Sequence, residues 1–121
     1  MSKILVVDDD VTVTELLKVL LTIEGHQATV VNDSSQTLNI ASSLQPDLIT
    51  LDLMMPGLTG FEVCELLQQD PGLAKIPVVI VSARDDPESM DGARQAGANA
   101  YITKPFNADD LMRKIKELTS S

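Results

Sequence analysis

Tryptophan is absent, and the 121 residues include only three aromatic side chains, Phe61, Tyr101 and Phe106. The core must therefore be aliphatic, which suits a buried parallel sheet covered by helices. Little is available to stack on a flavin. Cysteine occurs once, at Cys64, so no internal disulfide can form. The only histidine is His26, distant in sequence from Cys64. Cys64 falls in a helical pattern beside Val63 and Leu67, which reads as a packed structural thiol rather than a nucleophile. Basic residues are scarce: nine Lys and Arg stand against 18 Asp and Glu, for a net charge of −9. Bulk electrostatic binding to nucleic acid or to an acidic membrane is thereby excluded. No apolar run is long enough to cross a bilayer. Met1-Ser2-Lys3 leads straight into a four-residue apolar run, too short for a secretory signal. A reducing, cytoplasmic setting is the expectation. Repeats, low-complexity tracts and Pro/Gly-rich linkers are also missing, so residues 1–121 are expected to form a single domain.

What the chain does have is alternation. Apolar runs at Ile4-Leu5-Val6-Val7, Gln27 to Val31, Asp47 to Leu51, Val78 to Val81 and Ala100 to Thr103 are separated by five stretches of helical periodicity. That order predicts an α/β fold with helices on both faces of a parallel sheet. The first helix should follow Asp10, with Val13, Leu16, Leu17, Leu20 and Leu21 at helical spacing and Gly25 as its stop. Asn32 and Asp33 are candidate caps of a second helix, with Leu38, Ala41 and Leu44 inward and Pro46 beyond its end. Thr59 and Glu62 have the spacing of a capping box, placing a third helix from Gly60. Asp70-Pro71-Gly72 should break it. Asp86-Pro87 reads as cap and first residue of a fourth helix. That helix has only Met90, Ala93 and Ala96 to face inward, so it should be the least firmly held element. Asn107 should cap a fifth, anchored by Leu111, Ile115 and Leu118. Right-handed crossovers favour one doubly wound, flavodoxin-like sheet in the order 2-1-3-4-5.

Polar residues sit at the ends of four of these runs: Asp8-Asp9, Asp52, Ser82 and Lys104. In a parallel sheet they share the carboxyl edge, where open α/β folds build their sites. Two carboxylates about 4 Å apart repel by roughly 4 kcal/mol at an effective dielectric of about 20. Three together call for a cation, and a hard divalent ion with oxygen ligands answers best. Mg²⁺ is the expected one, since it takes one or two carboxylates and completes its shell with water and phosphate. Asp10 and Asp33 read as helix caps instead. Asp52 follows a fully apolar strand, where structure needs no carboxylate. Beside Mg²⁺ it could accept a phosphoryl group as an acyl phosphate. Lys104 could pair with one phosphoryl oxygen and Ser82 donate its hydroxyl to another.

Five segments in order then resemble the receiver domain of two-component response regulators: Val6-Val7-Asp8-Asp9, Leu51-Asp52-Leu53-Met54-Met55-Pro56-Gly57 with Gly60 following, Ile80-Val81-Ser82-Ala83, Gly97-Ala98, and Tyr101-Ile102-Thr103-Lys104-Pro105-Phe106. The resemblance covers essentially the whole chain. It implies Asp52 as phosphoacceptor, with Asp9, Asp52 and the Met54 carbonyl as direct Mg²⁺ ligands and Asp8 acting mainly through water. Lys104 would clamp the phosphate, Ser82 would be the switch hydroxyl and Tyr101 the aromatic that follows it. A cis Lys104-Pro105 peptide is implied as well. The implied partners are a sensor histidine kinase or phosphotransfer protein and a downstream protein or output domain. The chain would not itself contact nucleic acid or membrane, and would catalyse only its own phosphorylation and dephosphorylation. The downstream partner would read helix 4, strand 5 and helix 5.

Departures from the family pattern are visible. Serine rather than threonine stands at position 82, and Met54 and Arg84 occupy positions that govern access of the hydrolytic water. Asn99 and Ala100 replace acidic residues that support dimers through helix 4, strand 5 and helix 5, so a monomer or weak dimer is expected. Two enzyme-like or cofactor readings compete: a haloacid-dehalogenase-like phosphatase using Asp8 and Asp10, and a flavodoxin-like cofactor binder. The acidic loop after the first strand would repel a flavin phosphate. A receiver-shaped scaffold that signals without phosphorylation is the remaining alternative. Whether the chain stands alone or belongs to a longer protein is open at this level.

Overall fold

The computed structural model describes residues 2–119. Five strands, β1 (Lys3–Val7), β2 (Gln27–Val31), β3 (Leu48–Leu51), β4 (Val78–Ser82) and β5 (Ala100–Thr103), alternate with α1 (Val11–Ile23), α2 (Thr37–Leu44), α3 (Gly60–Gln69), α4 (Pro87–Gln95) and α5 (Ala108–Thr119). The strands form one sheet in the order β2-β1-β3-β4-β5, and every pairing is parallel. The expected topology is thus the observed one. Pairing Val7 with Leu51 aligns the ends of β1 and β3, so Asp8 and Asp52 emerge side by side.

Strand alternation divides the core into two layers. Ile4, Val6, Leu48, Val79 and Val81 pack against Leu17 and Leu21 of α1 and Leu111 and Ile115 of α5. Leu5, Val7, Ile49, Leu51 and Ile80 meet Ala41, Val63, Cys64, Leu67 and Ala93 from α2, α3 and α4. Each fully buried Leu or Ile contributes about 1.5–3 kcal/mol relative to exposure, and aliphatic side chains do nearly all of this.

The helix ends follow their sequence signals. Asp10 caps α1 by accepting from the Thr12 and Val13 amides, and Gly25 takes φ +88 just beyond its end. Thr59 and Glu62 form the full capping box of α3. Asp86 caps α4 with Pro87 at its first position. The Asn107 side chain accepts from the Asp110 amide at the start of α5. The Lys104-Pro105 peptide is cis.

Three local points refine the expectations. Leu16, which shares the helical spacing of Leu17 and Leu21, is half exposed, and with Val19 and Ile23 it forms an apolar outer face on α1. An apolar residue satisfies helical periodicity on either side, and here Leu17 and Leu21 take the core side. Met90 likewise lies outside the core of α4, whereas Ser89 is buried because its hydroxyl and amide both bond to Asp86. The third concerns α2. A short 3-10 turn (Ser34–Gln36) precedes it, and Asp33 caps that turn rather than the helix.

Candidate functional site

At the carboxyl edge of the sheet, Asp8 and Asp52 follow directly from two adjacent, largely buried strands, β1 and β3. The Asp8 amide bonds to the Val31 carbonyl and the Asp52 amide to the Val7 carbonyl, both at 3.1 Å. Ladder bonds thus fix both backbones up to the aspartates. Asp8 and Asp52 are buried, while Asp9 is exposed. One oxygen from each of the three carboxylates lies within 4.8 Å of the others.

Among the described residues, the Lys104 ammonium balances part of this charge. Lys104 Nζ lies 2.7 Å from Asp8 Oδ2 and 3.6 Å from Asp52 Oδ2. Burial alone would lower the Lys104 pKa, but its hydrogen bond to Asp8 and the charges of Asp52 and Asp8 outweigh this and raise it. For Asp52, burial and the neighbouring Asp8 charge push the pKa up, against the opposing pull of Lys104 and the Leu53 and Met54 amides. Three ionised carboxylates against one ammonium leave an excess of two negative charges. The donors are hard oxygens throughout, so the pocket fits a hard divalent cation such as Mg²⁺, and Asp52 in particular gains from one.

The loop after β3 is held in place from inside. Asp52 Oδ1 accepts the Leu53 amide at 2.8 Å, and the Gly60 amide returns to the Leu53 carbonyl at 2.8 Å. Gly60 must be glycine here, since a Cβ would run into the Asp52 carbonyl and approach Leu53 Cα to 2.7 Å. Met54 stands at the exposed lip of the site, with its sulfur 3.9 Å from an Arg84 guanidinium nitrogen.

The remaining residues join through β4 and β5. The Lys104 amide bonds to the Ser82 carbonyl at 2.8 Å, tying the two strand ends together. The Ser82 side chain is buried, and its oxygen accepts the Arg84 amide at 3.2 Å. Tyr101 donates its hydroxyl to the Arg84 carbonyl at 2.7 Å. Asp8, Asp52 and Lys104 therefore meet directly with Asp9 beside them, whereas the Ser82 and Tyr101 side chains neighbour each other and both also bond to Arg84. Asp10 is occupied as the α1 cap, which leaves the phosphatase reading without its second carboxylate. Cys64 lies away in the core, where burial pushes its thiol up to about 12.

Two residues that the sequence did not single out as part of the site support it. Asn32, a candidate helix cap, donates instead to the Asp8 carbonyl at 2.9 Å and to Thr14 Oγ1 at 3.1 Å. Ser34, buried, donates to the Pro56 carbonyl at 3.1 Å and accepts the Leu58 amide at 3.0 Å. The available signal was strand order: placing β2 beside β1 brings the residues after β2 next to the site.

Comparison with known proteins agrees with this geometry. The family model described as the response regulator receiver domain matches residues 4–116. The DNA-binding response regulator MtrA of Mycolicibacterium paratuberculosis is 39% identical over 115 residues, covering 95% of this chain and 50% of the relative. The chain spans about half the length of the first curated relatives it matches. Among solved structures, the receiver domain of the Francisella response regulator 1452 superposes with TM-score 0.91 at 31% identity, covering 98% of this chain and 97% of that one. The signal receiver domain of a signal transduction histidine kinase from Syntrophus aciditrophicus gives TM-score 0.91 at 33% identity, covering 98% and 90%.

Proposed function

The chain belongs to the response regulator receiver family, and from that membership we propose that Asp52 accepts a phosphoryl group from a sensor histidine kinase or phosphotransfer protein. In the transfer, the N–P bond of a phosphohistidine breaks and leaves its electron pair on the imidazole nitrogen. An Asp52 oxygen forms the new O–P bond. Hydrolysis later returns the carboxylate and releases phosphate, so the domain catalyses only its own phosphorylation and dephosphorylation.

Asp8, Asp9, Asp52 and the Met54 carbonyl would hold Mg²⁺, which when bound neutralises charge on the phosphoryl oxygens. Lys104 presents an ammonium to the same oxygens. Ser82 offers its hydroxyl, and any turn of that hydroxyl disturbs the Arg84 amide bond to it and hence the carbonyl that Tyr101 holds. The effect reaches α4 and β5, where Met90, Ala93, Arg94, Ala98, Ala100 and Tyr101 line a groove of about 210 Å³. A downstream protein or output domain would read that surface. The setting is cytoplasmic, and no helix among the described residues is long and apolar enough to cross a membrane.

The observation that carries this reading is a buried Asp52 carboxylate, with its pKa raised, between two other carboxylates and 3.6 Å from an ammonium. Incubation with acetyl phosphate and Mg²⁺ should give one acid-stable, base-labile acyl phosphate per chain. Asp52→Ala should abolish it, and undiminished labelling of that variant would overturn the assignment.

A further inference from the structure

We infer that the β2–α2 turn braces the metal site from both sides, with Asn32 and Ser34 as positioning residues that set its affinity for Mg²⁺. The inference rests on the metal site proposed above. Asn32 Nδ2 holds the carbonyl of Asp8, on the β1 side. Two residues later, Ser34 Oγ holds the Pro56 carbonyl and the Leu58 amide, on the β3 side. Met54, the proposed carbonyl ligand, lies between Asp52 and this clasp. The other backbone ties of its loop run to Asp52 itself and to α3. Ser34 thus fixes the far end of the loop from a separate element.

The clasp is built rather than incidental. Ser34 is 1% exposed, so its hydroxyl has no water to replace either partner. Asp33 caps the turn by accepting the Ser35 amide at 3.0 Å, which fixes where Ser34 points. Gly57, at φ +81, brings the loop against the hydroxyl: a Cβ there would stand 3.5 Å from Ser34 Oγ. Without the clasp, the Met54 carbonyl must be ordered at the moment of metal binding, and that cost appears as weaker affinity. One net hydrogen bond corresponds to about a fivefold change in a dissociation constant.

Calorimetric Mg²⁺ titration of the whole chain, combined with acyl-phosphate formation rates, tests the brace. Ser34→Ala and Asn32→Ala should each raise the Mg²⁺ dissociation constant about fivefold. The maximal rate at saturating Mg²⁺ should stay within about twofold of wild type, because the reacting groups are untouched. Gln36→Ala, exposed in the same turn and without a side-chain cap bond, should leave both values unchanged. Unchanged Mg²⁺ affinity in the two variants would overturn the brace, as would an equal shift in Gln36→Ala. A wild type that binds no Mg²⁺ would overturn the metal site itself. A readout free of folding effects comes from linkage: if the clasp favours the metal, the metal favours the clasp. Hydrogen exchange of the Leu58 amide in the unmodified chain should therefore slow when Mg²⁺ is added. Exchange at Leu58 that ignores saturating Mg²⁺ would equally overturn the inference.

Discussion

Asp52 is the residue at which this chain gives up stability for a site. Burial and the Asp8 charge raise its pKa from the usual 3.8, so the folded state binds that proton more tightly than the unfolded state. The sign follows from linkage. The folded protein is favoured below pH 3.8, that advantage is lost as pH rises through the folded pKa, and at neutral pH the full penalty remains. Lys104 offsets it only partly. Asp52→Asn, which keeps shape without charge, should therefore stabilise the metal-free protein by about 1 kcal/mol at pH 7. Urea unfolding in a chelating buffer, run at several pH values, checks this. The difference from wild type should open as pH climbs above about 4 and then level off. A variant no more stable than wild type at pH 7 would contradict it. The carboxylates themselves were legible in the sequence because each ends an apolar run and a parallel sheet aligns such ends. Asn32 and Ser34 were not, because their partners belong to elements that only folding brings near.

At the scale of an element, α4 differs from the other helices in how it is anchored. Ala93 and, at its C-cap, Ala96 are its buried apolar residues, too small to contribute much by area. Polar bonds at its first turn take up the task. Ser89 donates its hydroxyl and amide to Asp86, and Arg84 adds a third donor, which together lower the Asp86 pKa to about 2. A depressed carboxylate contributes its stability above 3.8 and loses it as pH falls through about 2. Carbon-detected NMR should place the Asp86 midpoint near 2, and Ser89→Ala should move it back toward 3.8. An unmoved midpoint would show that Ser89 is not what holds the cap. The sequence gives the cap and its proline directly, since Asp-Pro before a helical stretch has few other meanings. It misassigns the inward face, because Met90 looks apolar enough for a core that instead receives Ser89. The same ambiguity holds for Leu16, which shares the helical spacing of Leu17 yet lies exposed in the fold.

Across the whole molecule, the net charge of −9 and the three clustered carboxylates act in the same direction. Both oppose folding without counterions, the first diffusely and the second at one point. Salt and Mg²⁺ should separate the two. Monovalent salt screens distributed charge, with a Debye length of about 8 Å at physiological ionic strength, and affects buried pairs much less. Mg²⁺ binding adds a term that depends on the site, about 2.7 kcal/mol at 100 times the dissociation constant. Thermal unfolding should therefore rise with Mg²⁺ well beyond the effect of NaCl at equal ionic strength. Asp9→Asn is the discriminating variant: Asp9 is exposed and its side chain makes no hydrogen bond among the described residues, so its loss should leave the basal midpoint nearly unchanged. The Mg²⁺-specific increment should shrink sharply in that variant while the NaCl response persists. Equal increments in wild type and Asp9→Asn would mean that Mg²⁺ acts only as a general counterion, and that the acidic edge of the sheet holds no metal.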